Sequence, residues 1–428
     1  MKKIILLAFT LFVAFADTFA QKEVSGVYVG GHIRRERPGT ITKLRNSGFT
    51  YAILFNVHVT ADGTLTTDGD TICYNGKYVF QNKHPYYQQD VANLKTAPTS
   101  ITRVEICIGG WGNDAYTNIK NLINPKGTGS TTMLYKNFKA LKQAVPEIDA
   151  VNNDIEQDYD VETGAKFHIM MYNLGYKTTL APYTYKSYWT SLNDKIRASK
   201  PKAVDRVMIQ CYDGGAGNVN SVGTWNFNGV TERHAGLMYY SNDWSVDKNM
   251  AQFQKWKDDG VATGGFVWVY NDESWDLNAW ASGINRIFGA VTVPEEQVVV
   301  RCYSEKNYGG YCIALPEGRF TQADLAVYGL KANDLSSLEL VDDFYQIKLY
   351  KSPDFTGTAR RFTKSMKSIT TYDNLVCSII IEPNPTGINS PTPDSTPERE
   401  EIYDLSGQKV NGKLPRGIYI VNGKKILY

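Results

Sequence analysis

Three polar side chains stand two residues apart in Ile148-Asp149-Ala150-Val151-Asn152-Asn153-Asp154-Ile155-Glu156. Successive side chains of a β-strand alternate faces, so Asn152, Asp154 and Glu156 share one. Three polar groups on an inward face cost free energy unless they bond one another or a ligand. Glu156 comes last, at the end a ligand can reach, and Asp154 is close enough to share a proton with it and raise its pKa. A carboxylic acid kept protonated near neutral pH is what a departing sugar alcohol needs. The competing reading is a polar layer that only fills the floor of a barrel. Asp158 and Asp160, which follow, read as solvated loop residues.

Other segments offer partners for this pair. Ile108-Gly109-Gly110-Trp111 ends one apolar run, and paired glycines remove side chains where another backbone or polar group comes close. Gln210-Cys211-Tyr212-Asp213 ends a second, with Gln210 and Tyr212 on one face. Phe266-Val267-Trp268 ends a third, and Trp268 suits the apolar floor beneath a sugar ring. A turn or an ordinary core aromatic would account for any one of these alone. The elements that must position them are eight short apolar runs, at 26–30, 51–57, 103–108, 148–156, 178–181, 206–212, 235–239 and 265–269. Helical patterns lie between them, as at 132–144, 163–173, 187–198 and 248–259. This alternation predicts an α/β fold, a (β/α)8 TIM barrel over residues 21–292, with its chemistry at the C-terminal ends of the strands.

From 297 to 382 the pattern changes to short strands and frequent turns with no helix-length period. It also repeats: Tyr303, Tyr308 and Gly310 in one half answer Tyr350, Phe355 and Gly357 in the other, which implies a duplicated supersecondary unit. Residues 383–400 are rich in Pro, Ser, Thr and Asn and read as a linker, and 401–428 as a small β module. At the other end, Lys2 and Lys3, an apolar stretch over 4–16 and Thr18-Phe19-Ala20 read as a secretory signal over 1–20.

A net charge of +2 gives no electrostatic reason to expect a nucleic-acid partner. The 28 Tyr and 8 Trp suit stacking on sugar rings, although both are also ordinary core residues. None of the six cysteines forms a C-x-x-C pair, so a zinc site is not expected. Cys107 and Cys211 read as small buried hydrophobes, and Cys302 and Cys312 could lie close enough in a sheet to pair, although sequence fixes no connectivity.

The 148–156 segment resembles the signature of family 18 glycoside hydrolases, the chitinases and endo-β-N-acetylglucosaminidases. Ile148, Asp149, Val151, Asp154 and Glu156 match it. Gly109 and Gly110 resemble the third-strand Ser-x-Gly-Gly, with Cys107 in place of Ser, and Leu180-Ala181-Pro182 resembles the fifth strand. Gln210, Tyr212 and Asp213 resemble the sixth-strand element, and Trp268 the eighth-strand tryptophan. The resemblance spans roughly 24–288.

It implies a retaining, substrate-assisted hydrolysis that needs no metal or other cofactor. The acetamido oxygen of the sugar attacks its own anomeric carbon, with Glu156 as acid and then base. Asp154 orients the acetamido group and stabilises the oxazolinium intermediate, and Tyr212 bonds the acetamido oxygen. Asn152, Gly109, Gly110, Trp111, Gln210, Asp213 and Trp268 are the residues expected against substrate. Asn152 departs from the family's inner Asp, and an amide keeps a hydrogen bond but loses titration. Ala150 and Asn153 also depart, and Tyr183 stands where many chitinases have Glu. Short spacing between the last two strands leaves no room for the insertion that deepens processive clefts, which implies an open groove.

The 297–382 repeat resembles βγ-crystallin Greek-key domains, an all-β sandwich. That resemblance implies Ca2+ loops near Asn333, Ser336, Asp373 and Asn374, although Ala332 and Cys377 depart from the binding pattern and thiol is a poor ligand for a hard ion. Ile402 to Gly407, Pro415 to Tyr419 and Lys424-Lys425 resemble the C-terminal sorting domain of type IX secretion. This implies export through the periplasm to the medium or cell surface, with the type IX machinery as a partner. The expected substrate partner is an N-acetylglucosamine-containing glycan or glycoprotein. Two readings compete: a catalytically weak or inactive, lectin-like glycan binder on the same barrel, and an adhesin that works through the crystallin-like module.

Overall fold

Eight strands pair in parallel, each with its predecessor, and the last returns to the first. In the computed structural model the described residues are 20–31, 33, 36–238, 245–270, 275–385, 402–405, 408–410, 417–421 and 424–427. The barrel strands are β1 (Ser25–Val29), β2 (Tyr51–Val59), β6 (Arg103–Gly109), β7 (Ile148–Asp154), β8 (Lys177–Leu180), β9 (Val204–Gln210), β10 (Glu232–Met238) and β11 (Gly264–Tyr270). Their order closes through β1 on β2 and β11 on β1. A short antiparallel ribbon, β3 (Leu65–Thr67), β4 (Asp70–Tyr74) and β5 (Lys77–Tyr78), extends β2.

Helices lie between successive barrel strands, and their caps explain their starts. Thr132 caps Met133–Ala144 by accepting from Tyr135 N–H, and Ser245 caps Val246–Asp258 through Lys248 N–H. Asp160, expected as a solvated loop residue, is likewise the N-cap of Val161–Asn173, where its carboxylate accepts from Thr163 N–H. Asp158 pairs with Lys120 at 2.9 Å. Between Met238 and Gly264 the described chain holds one helix and no additional strand.

The β7 strand ends at Asp154 rather than at Glu156. Its Asp154 carbonyl accepts from Gly110 N–H at 2.7 Å, where β6 has itself run out, so the ladder stops there. Below that point the lumen is filled in layers. An aromatic cluster of Tyr28, Tyr51 and Phe266 packs there with Cys107 and Met208, and Tyr212 joins it from the cavity above. A charged layer follows, in which the fully buried Glu105 accepts from Arg103 Nε at 2.6 Å and from Thr179 at 2.9 Å. Buried charges are tolerated only when paired in this way.

The second unit has two sheets, β13-β12-β15 and β14-β18-β16-β17. The strands are β12 (Val300–Glu305), β13 (Gly309–Leu315), β14 (Gly318–Phe320), β15 (Ser337–Leu340), β16 (Tyr345–Tyr350), β17 (Arg360–Phe362) and β18 (Ser378–Pro383). The third strand of each half crosses to the other half's sheet: β14 pairs with β18, and Met366 bridges Leu338. Two interleaved Greek keys result, around a core of Val300, Leu338, Ile347 and Ile379. The repeat is visible in its corners. Tyr308 N–H donates to Ser337 in one half, and Phe355 N–H to Ser378 in the other, at 3.0 and 3.1 Å.

One expectation for this unit fails, and one open question is answered. A helix, Gln322–Val327, does form, started by a capping box between Thr321 and Asp324. Cys302 and Cys312 do not meet. Cys302 faces Ile313 and Cys312 faces Tyr303, one rung apart on opposite faces, so the first is buried, the second exposed and both are free thiols.

The two units are joined along the helix Leu277–Phe288. Asn285 Nδ2 donates to Ala326 O at 3.0 Å, Arg286 to Gly329 O at 2.9 Å, and Asn278 Oδ1 accepts from Ala332 N–H at 2.7 Å. A third sheet of β19 (Ile402–Tyr403), β20 (Ile418–Val421) and β21 (Lys424–Leu427) forms the C-terminal module. Residues 1–19 of the expected signal, 386–400 of the expected linker, Tyr239, Ser406-Gly407 and Pro415-Arg416 lie outside the described residues. No helix among the described residues is long and apolar enough to cross a membrane.

Candidate active site

At the C-terminal end of the barrel strands lies a cavity of about 500 Å³, within the range of small-molecule sites. Eight of the residues singled out in the sequence line it: Asp154, Glu156, Tyr212, Gln210, Asp213, Gly110, Trp111 and Trp268. Phe55, Gly214 and Tyr183, the last noted where many chitinases have Glu, line it too and were not among the residues expected against substrate. Phe55 continues the inward alternation of Tyr51 and Ile53 on β2, and Tyr183 lies two residues past the inward Ala181, so period two was the signal for both.

Asn152 and Gly109 are not cavity residues. Asn152 is 0% exposed and sealed one layer below Asp154. Its Oδ1 accepts from Tyr28 OH at 3.0 Å and its Nδ2 donates to Glu105 at 3.4 Å, so it belongs to the polar floor. Gly109 supports the site from behind. Its φ is +109°, and a Cβ there would lie 2.2 Å from the Asp154 carbonyl oxygen. Gly109→Ala is therefore expected to cost about 2 kcal/mol or more, from strain plus overlap, read as a drop in Tm.

Asp154 is buried and Glu156 half-buried, side by side. Gln210 Nε2 donates to Asp154 Oδ1 at 2.7 Å and to Ala181 O at 2.9 Å, which locks the amide, and Cys107 Sγ lies 3.9 Å from Oδ2. Burial, and then the charge of Glu156, push the Asp154 carboxyl up to about 8, against the pull of Gln210 and Cys107. Glu156 is also raised, first by burial; a hydrogen bond from Tyr183 pulls it back, and the charge of Asp213 adds to the rise. The sequence reading placed the raised pKa on Glu156 with Asp154 as its cause. The larger push instead falls on Asp154, because it is the more deeply buried of the two.

The walls are aromatic. Trp268 lies edge-on to Phe55 at 4.7 Å and to Tyr28 at 5.1 Å, and parallel to Tyr212 at 6.2 Å and 16°. Burial also pushes the Tyr212 phenol up, so it stays a neutral donor. Trp111 stands at the rim, 91% exposed, and Asp213 is an exposed rim carboxylate with φ +44°. The arrangement offers one buried acid, one accessible acid, a neutral phenol and an apolar platform in a single cavity.

The residues expected to hold Ca2+ in the crystallin-like loops are engaged with other side chains. Cys377 Sγ donates to Asn333 Oδ1 at 3.1 Å and Ser336 donates to Asn374 Oδ1 at 3.1 Å. The Lys306 ammonium lies 2.8 Å from Asp373 Oδ2 and holds that carboxyl below its ordinary range. Calcium takes six or more oxygens, and these contacts occupy Asn333 Oδ1, Asn374 Oδ1 and Asp373 Oδ2. Among the described residues no group of three or more His, Cys, Asp or Glu is placed to hold a metal ion.

No protein-family model and no curated protein matches the chain. Among solved structures it is similar to a βγ-crystallin domain from Flavobacterium johnsoniae, at 30% identity over 20% of this chain and 97% of that one, with a TM-score of 0.20. The N-terminal domain of Protein S is 25% identical over 20% of this chain and 96% of that one, with a TM-score of 0.19. A βγ-crystallin domain from Clostridium beijerinckii is 25% identical over 19% and 95%, also at 0.19. Each match spans about a fifth of the chain, and nothing about the barrel follows from them.

Proposed function

We propose that the (β/α)8 barrel hydrolyses β-linked N-acetylglucosamine glycans as a retaining, substrate-assisted glycosidase. The observation that carries the reading is the pair Asp154 and Glu156, delivered by one strand end into one cavity with aromatic walls. Burial and the charge of Glu156 push Asp154 up to about 8, and Glu156 beside it is raised as well, chiefly by burial. At rest a proton sits on the buried Asp154. Bound substrate moves it: the acetamido N–H donates to Asp154 and favours its charged form, while the sugar ring strips water from Glu156 and favours its neutral form.

The acetamido oxygen then attacks the anomeric carbon as the bond to the leaving oxygen breaks, and Glu156 gives its proton to that oxygen. Asp154 carries the negative charge beside the oxazolinium, and the Tyr212 phenol orients the acetamido oxygen. In the second step a water attacks the same carbon, Glu156 takes its proton, and the β-configuration is restored. The open rim suits internal cleavage, with the chitobiose core of N-glycoproteins favoured and chitin or peptidoglycan fragments next.

Mass-spectrometric product profiles from an N-glycan and chitooligosaccharide panel test this reading. It predicts cleavage beside N-acetylglucosamine that is lost in Glu156→Gln. Binding without turnover would favour the lectin-like alternative, to which the amide at Asn152 lends weight.

The reading includes export through the periplasm and sorting by the C-terminal module. It also includes a crystallin-like module that holds its loops with Lys306 in place of Ca2+. Millimolar Ca2+ or a chelator should then leave Tm unchanged, whereas a site at 100 times its Kd would add about 2.7 kcal/mol, seen calorimetrically.

A further inference from the structure

We propose that Tyr183 is the positioning residue for Glu156, donating its hydroxyl hydrogen to the carboxylate that remains once the proton has left. This rests on Glu156 being the acid of the proposed hydrolysis.

The chain builds a seat for this ring. Asn218 Nδ2 donates to Tyr183 O and to Gln210 O, both at 2.9 Å, which ties the segment after β8 to the segment after β9. Gly214 and Gly215 supply the space. A Cβ on Gly214 would lie 2.9 Å from the Tyr183 ring, and one on Gly215 would lie 3.0 Å from Tyr183 Cβ and 2.4 Å from Gln210 O. Larger residues in this pair would displace a ring that lines the same cavity as Glu156.

A hydrogen bond from a neutral phenol favours the charged form of its carboxyl partner. Tyr183 itself is kept neutral, chiefly by burial, with the Tyr159 hydroxyl beside it. The other groups around Glu156 push the opposite way or are neutral. Asp213 faces it from the segment after β9, and Asp154 lies beside it on its own strand end. Tyr212, Tyr159 and the Cys107 thiol also lie within its field, all uncharged at neutral pH. Among these neighbours Tyr183 is the hydroxyl whose influence pulls the Glu156 carboxyl down, and the two side chains line one cavity. Tyr183 makes Glu156 a stronger acid in the first step and steadies the carboxylate base needed for the second.

The test is Tyr183→Phe, which keeps the ring in its seat and removes the donor. Carboxyl-carbon NMR on glutamate-labelled protein, with the Glu156 signal assigned by its loss in Glu156→Gln, reads the titration without requiring turnover. Loss of a hydrogen bond to a charged group should raise the Glu156 midpoint by about one pH unit. The alkaline limb of kcat/KM should move up with it, and kcat should fall about tenfold with KM little changed. A midpoint that stays in place or moves down overturns the proposal. A wild-type protein that cleaves no glycan sinks the enzyme reading instead, and the NMR titration still decides the role of Tyr183.

Discussion

Glu156→Gln should lower kcat on a chitooligosaccharide by about a thousandfold, in the range expected for loss of a positioned general acid. Glutamine keeps the shape of the side chain and still accepts from Tyr183, so KM should change little and the fold should hold. The defect should also depend on the leaving group. An aryl glycoside, whose departing phenolate needs little protonation, should lose far less in its first step than a sugar leaving group. A uniform loss across both substrates would mean that Glu156 shapes the cavity rather than moving a proton.

Asp154→Asn should separate activity from stability. Hydrolysis should fall by about 10² to 10³, because the oxazolinium loses the carboxylate beside it. Stability should move the other way. The folded-state pKa of Asp154, pushed to about 8, lies above its unfolded value, so the native state holds a proton that the unfolded chain releases. Stability therefore falls as pH rises from about 4 towards 8, and an asparagine cannot contribute to that fall. It also fits: its Oδ1 accepts from Gln210, whose amide is locked by Ala181 O, and its Nδ2 faces Cys107. Tm of Asp154→Asn should exceed that of the wild type by several degrees at pH 8 and match it at pH 4. Tm curves that coincide at both pH values would show that Asp154 is already ionised in the free protein.

Much of the barrel was legible because a lumen-facing strand writes its pattern plainly. Ala150, Asn152 and Asp154 alternate with Val151 and Asn153, and only the inner set meets Tyr28 and Gln210. The crystallin-like repeat was legible for a similar reason: its corners reuse one hydrogen bond, from Tyr308 N–H in one half and Phe355 N–H in the other.

What the sequence hid were contacts between distant segments. Nothing local tells that Glu105 rises beneath Asn152 and turns it into floor, or that the Gly214–Gly215 turn leaves room for Tyr183. Nor does spacing alone reveal that Cys302 and Cys312 sit on opposite faces, since the hairpin register decides it. The division of the pair's pKa shift was hidden as well. Two carboxyls two residues apart are symmetric on paper, and only their unequal burial shows that Asp154 takes the larger rise.

The most direct test of the central claim is proton NMR of the first-formed product from a chitooligosaccharide. Transfer of the Glu156 proton with acetamido participation predicts that the new reducing end appears first as the β-anomer, and that Glu156→Gln yields almost none. An α-anomer appearing first, or turnover that survives Glu156→Gln undiminished, would contradict it.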